Sequence, residues 1–305
     1  MEKVILVLPS GKIKIVVFFE IVQNLSNILS ENNIKNEIHF LDPNIKYEFD
    51  SNKLYIMYAV EDFVNHPQRF ICMQFEQLDA RINHYPGREN KDEFKKYILN
   101  IFKKALYIFD YSYKNTNFLR EYGLNAITVP YGFSSILSLN RNPIPISERN
   151  IDVLWYGNKC PRRKKLLDRM RKINIVIKHS SLWDNPLKQI GDISYDKTDT
   201  VKNTKIVLNI KYDSPSWSII ETPRIIHAIS NGCLVISESS YDSQLNAELK
   251  ENIILCHHSQ LEDMCIFYLS NPDILQKKIN KTYNWLINHY KYSDKIPWNL
   301  LNLII

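Results

Sequence analysis

The densest set of chemically capable side chains in this sequence is Lys159, Arg162, Arg163, Lys164 and Lys165. It follows an apolar run that ends at Tyr156-Gly157 and opens a segment of helical period. Guanidinium groups grip phosphate oxygens two at a time. The first turn of a helix adds unpaired N–H groups and the positive end of its dipole, so this pattern can seat a diphosphate. A solvated basic helix face is the alternative. Arg162 and Arg163 are the better ligands, because Lys164 and Lys165 turn progressively round the helix.

A second set, Trp217-Ser218-Ile219-Ile220-Glu221-Thr222-Pro223-Arg224, runs from a loop into a helix that ends at Asn231-Gly232. Pro223 suits a first helical turn and Gly232 a helix exit. The free N–H groups near Ile219–Thr222, Ile220 and Thr222 among them, would again face an anion. Glu221 either caps this helix or accepts hydrogen bonds from sugar hydroxyls, as carboxylates near a ribose do. Arg224 either holds a phosphate or pairs with Glu221.

A third set, Gln74-Phe75-Glu76-Gln77-Leu78-Asp79, stands at the end of an apolar strand. So many polar groups make poor core, which points to substrate contact with Glu76 as a candidate general base, or else to a structural hydrogen-bond network. Asp110, followed by Tyr111 and Ser112, is placed similarly, with Ser112 as a helix cap. Glu76 and Asp110 are thus the catalytic candidates.

Several motifs are missing. There is no G-x-G-x-x-G and no G-x-x-x-x-G-K-[ST], and 7 glycines leave no Gly-rich turn for a pyrophosphate. Histidines at metal-ligand spacing are absent, as is a D-x-D pair to hold a cation on a diphosphate. Neutralisation would fall to Arg, Lys and helix ends, with no metal.

The elements that must carry these groups alternate short apolar runs with helical segments, the pattern of βα units on parallel sheets. The first series has strands at Val4–Leu8, Glu37–Leu41, Lys53–Met57, Arg69–Phe75, Leu106–Phe109 and Ala126–Val129. Helices are expected from Ile13 to Ser30, over Asp92–Lys104 and from Ser112 to Tyr122. Pro143 and Pro145 mark a linker between Ser134 and Arg149. The second series has strands Asp152–Tyr156, Ile175–His179, Lys205–Ile210, Cys233–Ser237 and Ile253–Cys256. Its helices are Pro161–Ile173, Pro223–Ser230, Gln244–Leu249, Gln260–Leu269 and Pro272–Tyr290. Two such halves imply two sheet domains facing a cleft, since ligands sit beyond the carboxyl ends of parallel strands.

The 305 residues, 45% hydrophobic and 24% charged, have a globular composition that excludes disorder, collagen and coiled coil. The formal charge of +6 suits an anionic partner without specifying nucleic acid. Five scattered cysteines fit reduced core thiols, and no apolar stretch reaches membrane-spanning length, so a cytoplasmic protein is expected. The apolar tail Leu300–Ile305 docks either on the body or on a membrane surface.

Taken in order, Asp152-Val153-Leu154-Trp155-Tyr156-Gly157 with Arg162-Arg163, then Lys205–Ile210, then Glu221–Gly232 running into Leu234–Glu238, resemble the donor half of GT-B glycosyltransferases. The likeness is to the spore-maturation-like and viral group of family-1-like enzymes. Phe75–Leu78, Asp110–Ser112 and Val129-Pro130-Tyr131-Gly132-Phe133 look like the same group. The resemblance implies an α/β GT-B fold of two Rossmann-like parallel-sheet domains about a central cleft. Residues 1–140 would bind the acceptor and 141–285 the nucleotide-sugar donor, with 286–305 packing back on the first domain. It implies metal-independent transfer of a sugar from a nucleoside diphosphate to a glycan or other hydroxyl acceptor. Arg162 and Arg163 would hold the diphosphate and Glu221 the ribose or donor sugar. Lys178, His179, Ser180 and Ser181 would hold the base, and Lys205 would assist the phosphates. His227 stands about where retaining members carry a second glutamate. The competing readings are a non-catalytic sugar-nucleotide sensor and a basic nucleic-acid-binding module. Asp168 within the basic helix and the absence of a nucleic-acid motif argue against the latter, so no nucleic-acid partner is expected.

Overall fold

The computed structural model describes residues 3–78, 82, 91–138, 143–158, 160–179, 193–212 and 219–305. The expectations placed on Asp79, Lys159, Ser180, Ser181, Trp217 and Ser218 lie outside them. The chain forms two compact units, Met1–Pro130 with Lys295–Ile305, and Tyr131–Asp294.

The first unit is a parallel sheet of β1 (Val4–Pro9), β2 (Asn36–Leu41), β3 (Leu54–Tyr58), β4 (Phe70–Gln74), β5 (Tyr107–Asp110) and β6 (Ala126–Thr128), in the order β2-β1-β3-β4-β5-β6. β1, β3 and β4 are buried along their whole length, which is why they read as unbroken apolar runs: helices cover both faces. Ile5, Val7, Tyr55, Met57, Phe70 and Cys72 share one core with Ile98 and Phe102 of helix α2 (Lys91–Phe102) and Leu119 of helix α3 (Tyr113–Glu121). Helix α1 (Lys12–Glu31) packs on β1 and β2. Near the carboxyl terminus, Arg69 Nη2 donates to Ile304 O at 2.7 Å and Leu301 is buried, tying the last helical segment (Trp298–Ile304) into this unit.

The second unit is a parallel sheet of β7 (Ile151–Gly157), β8 (Ile175–His179), β9 (Thr204–Asn209), β10 (Leu234–Glu238) and β11 (Ile254–Cys256), in the order β11-β10-β9-β7-β8. Val153, Trp155, Ile206, Leu208, Leu234 and Ile236 meet Leu166 and Leu167 of helix α4 (Pro161–Arg169), together with Leu261, Leu275 and Ile279. Arg149, buried before β7, donates through Nε and Nη2 to Ile144 O and through Nη1 to Thr204 O, which fastens the proline-bearing segment to this unit.

Two elements differ from the sequence pattern. Helix α4 stops at Arg169, not Ile173, because Ile173 and Ile175 reach the core from the turn and strand that follow, at a spacing that imitates another helical turn. Helix α5 (Ile193–Lys202) has no apolar stripe to announce it, and Val201 near its end is fully buried. Among the described residues no helix is long and apolar enough to cross a membrane.

Candidate functional site

In the second sheet the chain leaves β7 towards β8 on one side and returns through β9 on the other. This order puts a crevice outside the carboxyl ends of β7 and β9, the usual ligand position in such sheets. Two helices aim their first turns there, α4 and α6 (Thr222–Ser230). Cys160 caps α4, its sulfur accepting from the Arg163 N–H at 3.4 Å, and Pro161 starts the helix where no N–H is needed. Arg163 is thereby fixed in the third helical position.

Arg163 is 2% exposed. Its Nε donates to Ile210 O at 2.9 Å and Lys211 O at 3.3 Å, its Nη1 to Asn158 O at 2.9 Å and its Nη2 to Glu221 Oε1 at 2.7 Å. The guanidinium also lies over the rings of Trp155 and Tyr212. Glu221, at the N-cap of α6, makes no side-chain capping bond there. Its second oxygen pairs with Arg224 Nη2, so one carboxylate is clamped between two arginines. Burial works to raise the Glu221 carboxyl, but Arg224 and then Arg163 outweigh it and hold it below the ordinary carboxylate value.

Arg224 donates from Nη1 to Asn209 Oδ1 at 2.8 Å and covers the ring of Tyr156. Its Nε is buried and has no hydrogen-bond partner among the described residues, and the same holds for Thr222 Oγ1 two residues earlier. Buried polar atoms are almost always paired, so two orphans beside one helix N-terminus mark a place that expects a ligand atom. Gly157 ends β7 with φ +147°, and a Cβ there would lie 2.9 Å from Arg224 Nη2 and 3.5 Å from Arg163 Nη1. Only glycine combines that backbone with this approach of two guanidinium groups.

The other second-unit candidates divide. Arg162 is held by Glu238, a buried carboxylate at the end of β10, in a bidentate pair that also accepts from the Lys211 N–H at 2.7 Å. Lys178 and His179 end β8 opposite Tyr156 and Gly157, on the crevice side. Ile220 is buried and contributes only backbone, its C=O accepting from the Thr222 N–H. Lys205 does not join them. It lies at the amino end of β9, where it pairs with Asp152 at 2.7 Å, because the strand's carboxyl end carries Asn209 instead.

In the first unit, Gln74 and Asp110 are neighbours at the carboxyl ends of β4 and β5. Asp110 has structural partners in the turn that follows. It is fully buried, and its oxygens accept from the Ser112 N–H at 2.8 Å and from Asn115 Nδ2, which makes it the anchor of the following turn. Ser112 caps α3 as expected. Glu76 keeps a partly exposed side chain, while its N–H donates to Gln74 Oε1 at 3.2 Å and its C=O accepts from Asn115 Nδ2 at 2.8 Å. Phe75 stacks between Tyr58 and Tyr111. Among the described residues no group of three or more His, Cys, Asp or Glu side chains could hold a metal ion.

Sequence reasoning missed Asn209, Tyr156 and Glu238 as site residues. A polar residue closing an otherwise apolar run, as in Lys205–Asn209 and Leu234–Glu238, was the available signal.

No family model matches the chain. Over 263 residues it is 23% identical to the uncharacterised protein L140 of Acanthamoeba polyphaga mimivirus, covering 78% of this chain and 81% of that protein. Sucrose-phosphate synthase from Thermosynechococcus elongatus superposes with a TM-score of 0.64 at 11% identity, over 99% of this chain and 98% of the other. An alpha-glucosyltransferase in complex with UDP-glucose and DNA containing an abasic site gives 0.59 at 9% identity, over 100% and 99%. Anabaena HepE in complex with UDP and glucose gives 0.59 at 9% identity, over 99% of both chains. With its parallel sheets of six and five strands, the chain has the GT-B fold of glycosyltransferases.

Proposed function

We propose that this chain is a glycosyltransferase that moves a sugar from a nucleoside diphosphate to a hydroxyl acceptor without an obligatory metal. The observation that carries the reading is the Arg163–Glu221–Arg224 clamp at the β7/β9 crevice, with Arg224 Nε and Thr222 Oγ1 buried beside it and unpaired among the described residues. A diphosphate supplies what this arrangement lacks: oxygens for the two free donors and negative charge for two guanidinium groups that share one carboxylate. The amino terminus of α6 adds its dipole. As the sugar leaves, charge grows on the diphosphate, and these fixed donors stabilise it without reorganisation. Lys178 and His179, across from Gly157, would take the base, Glu221 a sugar or ribose hydroxyl, and the carboxyl edge of the first unit the acceptor. Glu76 is the candidate base for the acceptor hydroxyl.

The test is a thermal-shift and calorimetric screen against UDP, GDP, CMP, dTDP and their common sugar conjugates, with and without EDTA, beside an oligonucleotide. A nucleotide that binds the folded protein alone raises its melting temperature by mass action. Binding of one nucleotide that survives EDTA supports the reading, whereas binding of the oligonucleotide alone, falling steeply with salt, sinks it. Glu76→Ala separates enzyme from sensor, since in the enzyme it abolishes transfer while leaving donor binding intact.

A further inference from the structure

A second cationic group lies on the same carboxyl edge of the second unit, next to the Arg163–Arg224 clamp: the Lys211 carbonyl accepts from Arg163 Nε at 3.3 Å and from Arg162 Nη1 at 3.0 Å, while the Lys211 side chain belongs to the second group. The β10–β11 register sets Glu238 against Cys256, so His257 and His258 leave the sheet beside the exit of β10. Both oxygens of Glu238 are already committed, to Arg162 and to the Lys211 backbone N–H. Among the described residues no carboxylate lies within ion-pair distance of the Lys211 ammonium, and Glu238 acts on it only at longer range. Lys211 is half-buried, and its ammonium stands 5.4 Å from the centre of the Tyr241 ring, which is 61% exposed. The rings of His257 and His258 are 3.9 Å apart, one exposed and the other half-buried. Glu238 thus positions Arg162 and the Lys211 backbone, while Lys211 and the two histidines, with His257 Nδ1 bonded to Ser259 Oγ at 2.8 Å, make no ion pair among the described residues.

We propose that Lys211, His257 and His258, braced by the Arg162–Glu238 pair, form an anion subsite for a phosphate or carboxylate on the sugar portion of a substrate. That the anion belongs to a substrate rests on the glycosyltransferase reading; the subsite itself does not. A single diphosphate is served by the Arg163–Arg224 clamp, so the second group is free for a different anion. Its charge state supports this. Burial and then Glu238 act in opposite directions on Lys211, with Arg162 adding to burial, and the ammonium lies below its ordinary value. Burial first, then His257, Arg162 and Lys211 push His258 down against Glu238, so the ring is readily neutral when nothing is bound. An arriving anion would reverse that and draw a proton onto His258, which makes binding tighten as pH falls through the histidine range.

The experiment uses the full chain and its Lys211→Met and His258→Gln variants. Glucose 6-phosphate and glucose are titrated calorimetrically into protein saturated with UDP. UDP-glucuronate and UDP-glucose are titrated into the free protein, and inorganic phosphate is followed by the imidazole resonances of His258. The expected result is that one anionic ligand binds about tenfold or more tightly than its neutral counterpart, the worth of one charge-assisted contact. Which pair shows the preference tells whether the anion rides on the acceptor or on the donor sugar. Lys211→Met should erase the preference while UDP affinity stays at the parent value, and phosphate should raise the His258 titration. Equal binding of charged and neutral ligands, a preference that survives both substitutions, or phosphate that merely displaces UDP would each overturn the subsite. If none of UDP, GDP, CMP and dTDP binds while phosphate still shifts His258 in a Lys211-dependent way, the subsite stands and the nucleotide reading falls.

Discussion

Arg224→Met is the substitution that separates ligand binding from support of the fold most cleanly, because Arg224 has few protein partners and one unpaired donor. The change leaves Asn209 Oδ1 buried and without its 2.8 Å donor, a loss of about 1–3 kcal/mol. It also removes the cation over Tyr156, worth about 0.5–2 kcal/mol. Glu221 keeps Arg163 at 2.7 Å and is 31% exposed at its side chain, so its own loss is screened and small. Against these, a methionine fills most of the volume, and a buried guanidinium with an orphaned Nε no longer has to be desolvated. The net destabilisation should be about 2 kcal/mol, or roughly 4–8 °C in melting temperature for a unit of this size. Nucleotide affinity should fall further. A guanidinium bound to a diphosphate makes charge-assisted bonds worth about 1.5–3 kcal/mol, so under the proposed function the Kd of the bound nucleotide, UDP in the first test, should rise roughly 10- to 100-fold. Calorimetry below the melting transition measures affinity, and a thermal scan measures stability. A variant that loses the expected stability yet binds UDP within about twofold of the parent would show that Arg224 serves only the fold.

Gly157→Ala should weaken UDP binding about tenfold with the sheet intact, because φ +147° resists a side chain and the new methyl displaces Arg224 Nη2; calorimetry with a near-native circular dichroism spectrum checks it. Gly232→Ala, at φ +73°, would meet Pro143 and lie 2.6 Å from Arg149 Nη2, so it should destabilise the second unit by about 2–4 kcal/mol in urea unfolding. The Glu221 carboxyl is lowered in the folded state, so its contribution is complete above its unfolded value and disappears as pH falls through the folded one. Melting temperature followed from pH 6 to 3 should therefore drop more steeply in the parent than in Glu221→Gln. All five cysteines are buried, with Cys233 pushed up to about 12 and Cys256 to about 11 by burial, so a thiol reagent at pH 8 should react only after denaturant is added.

The alternation of apolar runs and helical segments was enough to read two parallel α/β halves from the sequence. A strand buried on both faces and an amphipathic helix leave local, periodic signatures. The same logic placed Arg163, Glu221 and Arg224 correctly at helix starts, since Pro161, Pro223 and Gly232 punctuate those helices. What local pattern could not supply was the partner of each charge. Arg163 meets Glu221 58 residues away, and Arg162 meets Glu238 76 residues away, contacts that exist only once strand order has brought the carboxyl ends of β7, β9 and β10 together. That Lys205 stands at the amino end of its strand was already legible in the run Lys205–Ile210, and Asp110 is taken up by partners only two and five residues on, Ser112 and Asn115. A sequence determines which residues stand at the ends of strands, whereas tertiary packing alone decides which of those ends share a crevice and which side chains are consumed in holding it.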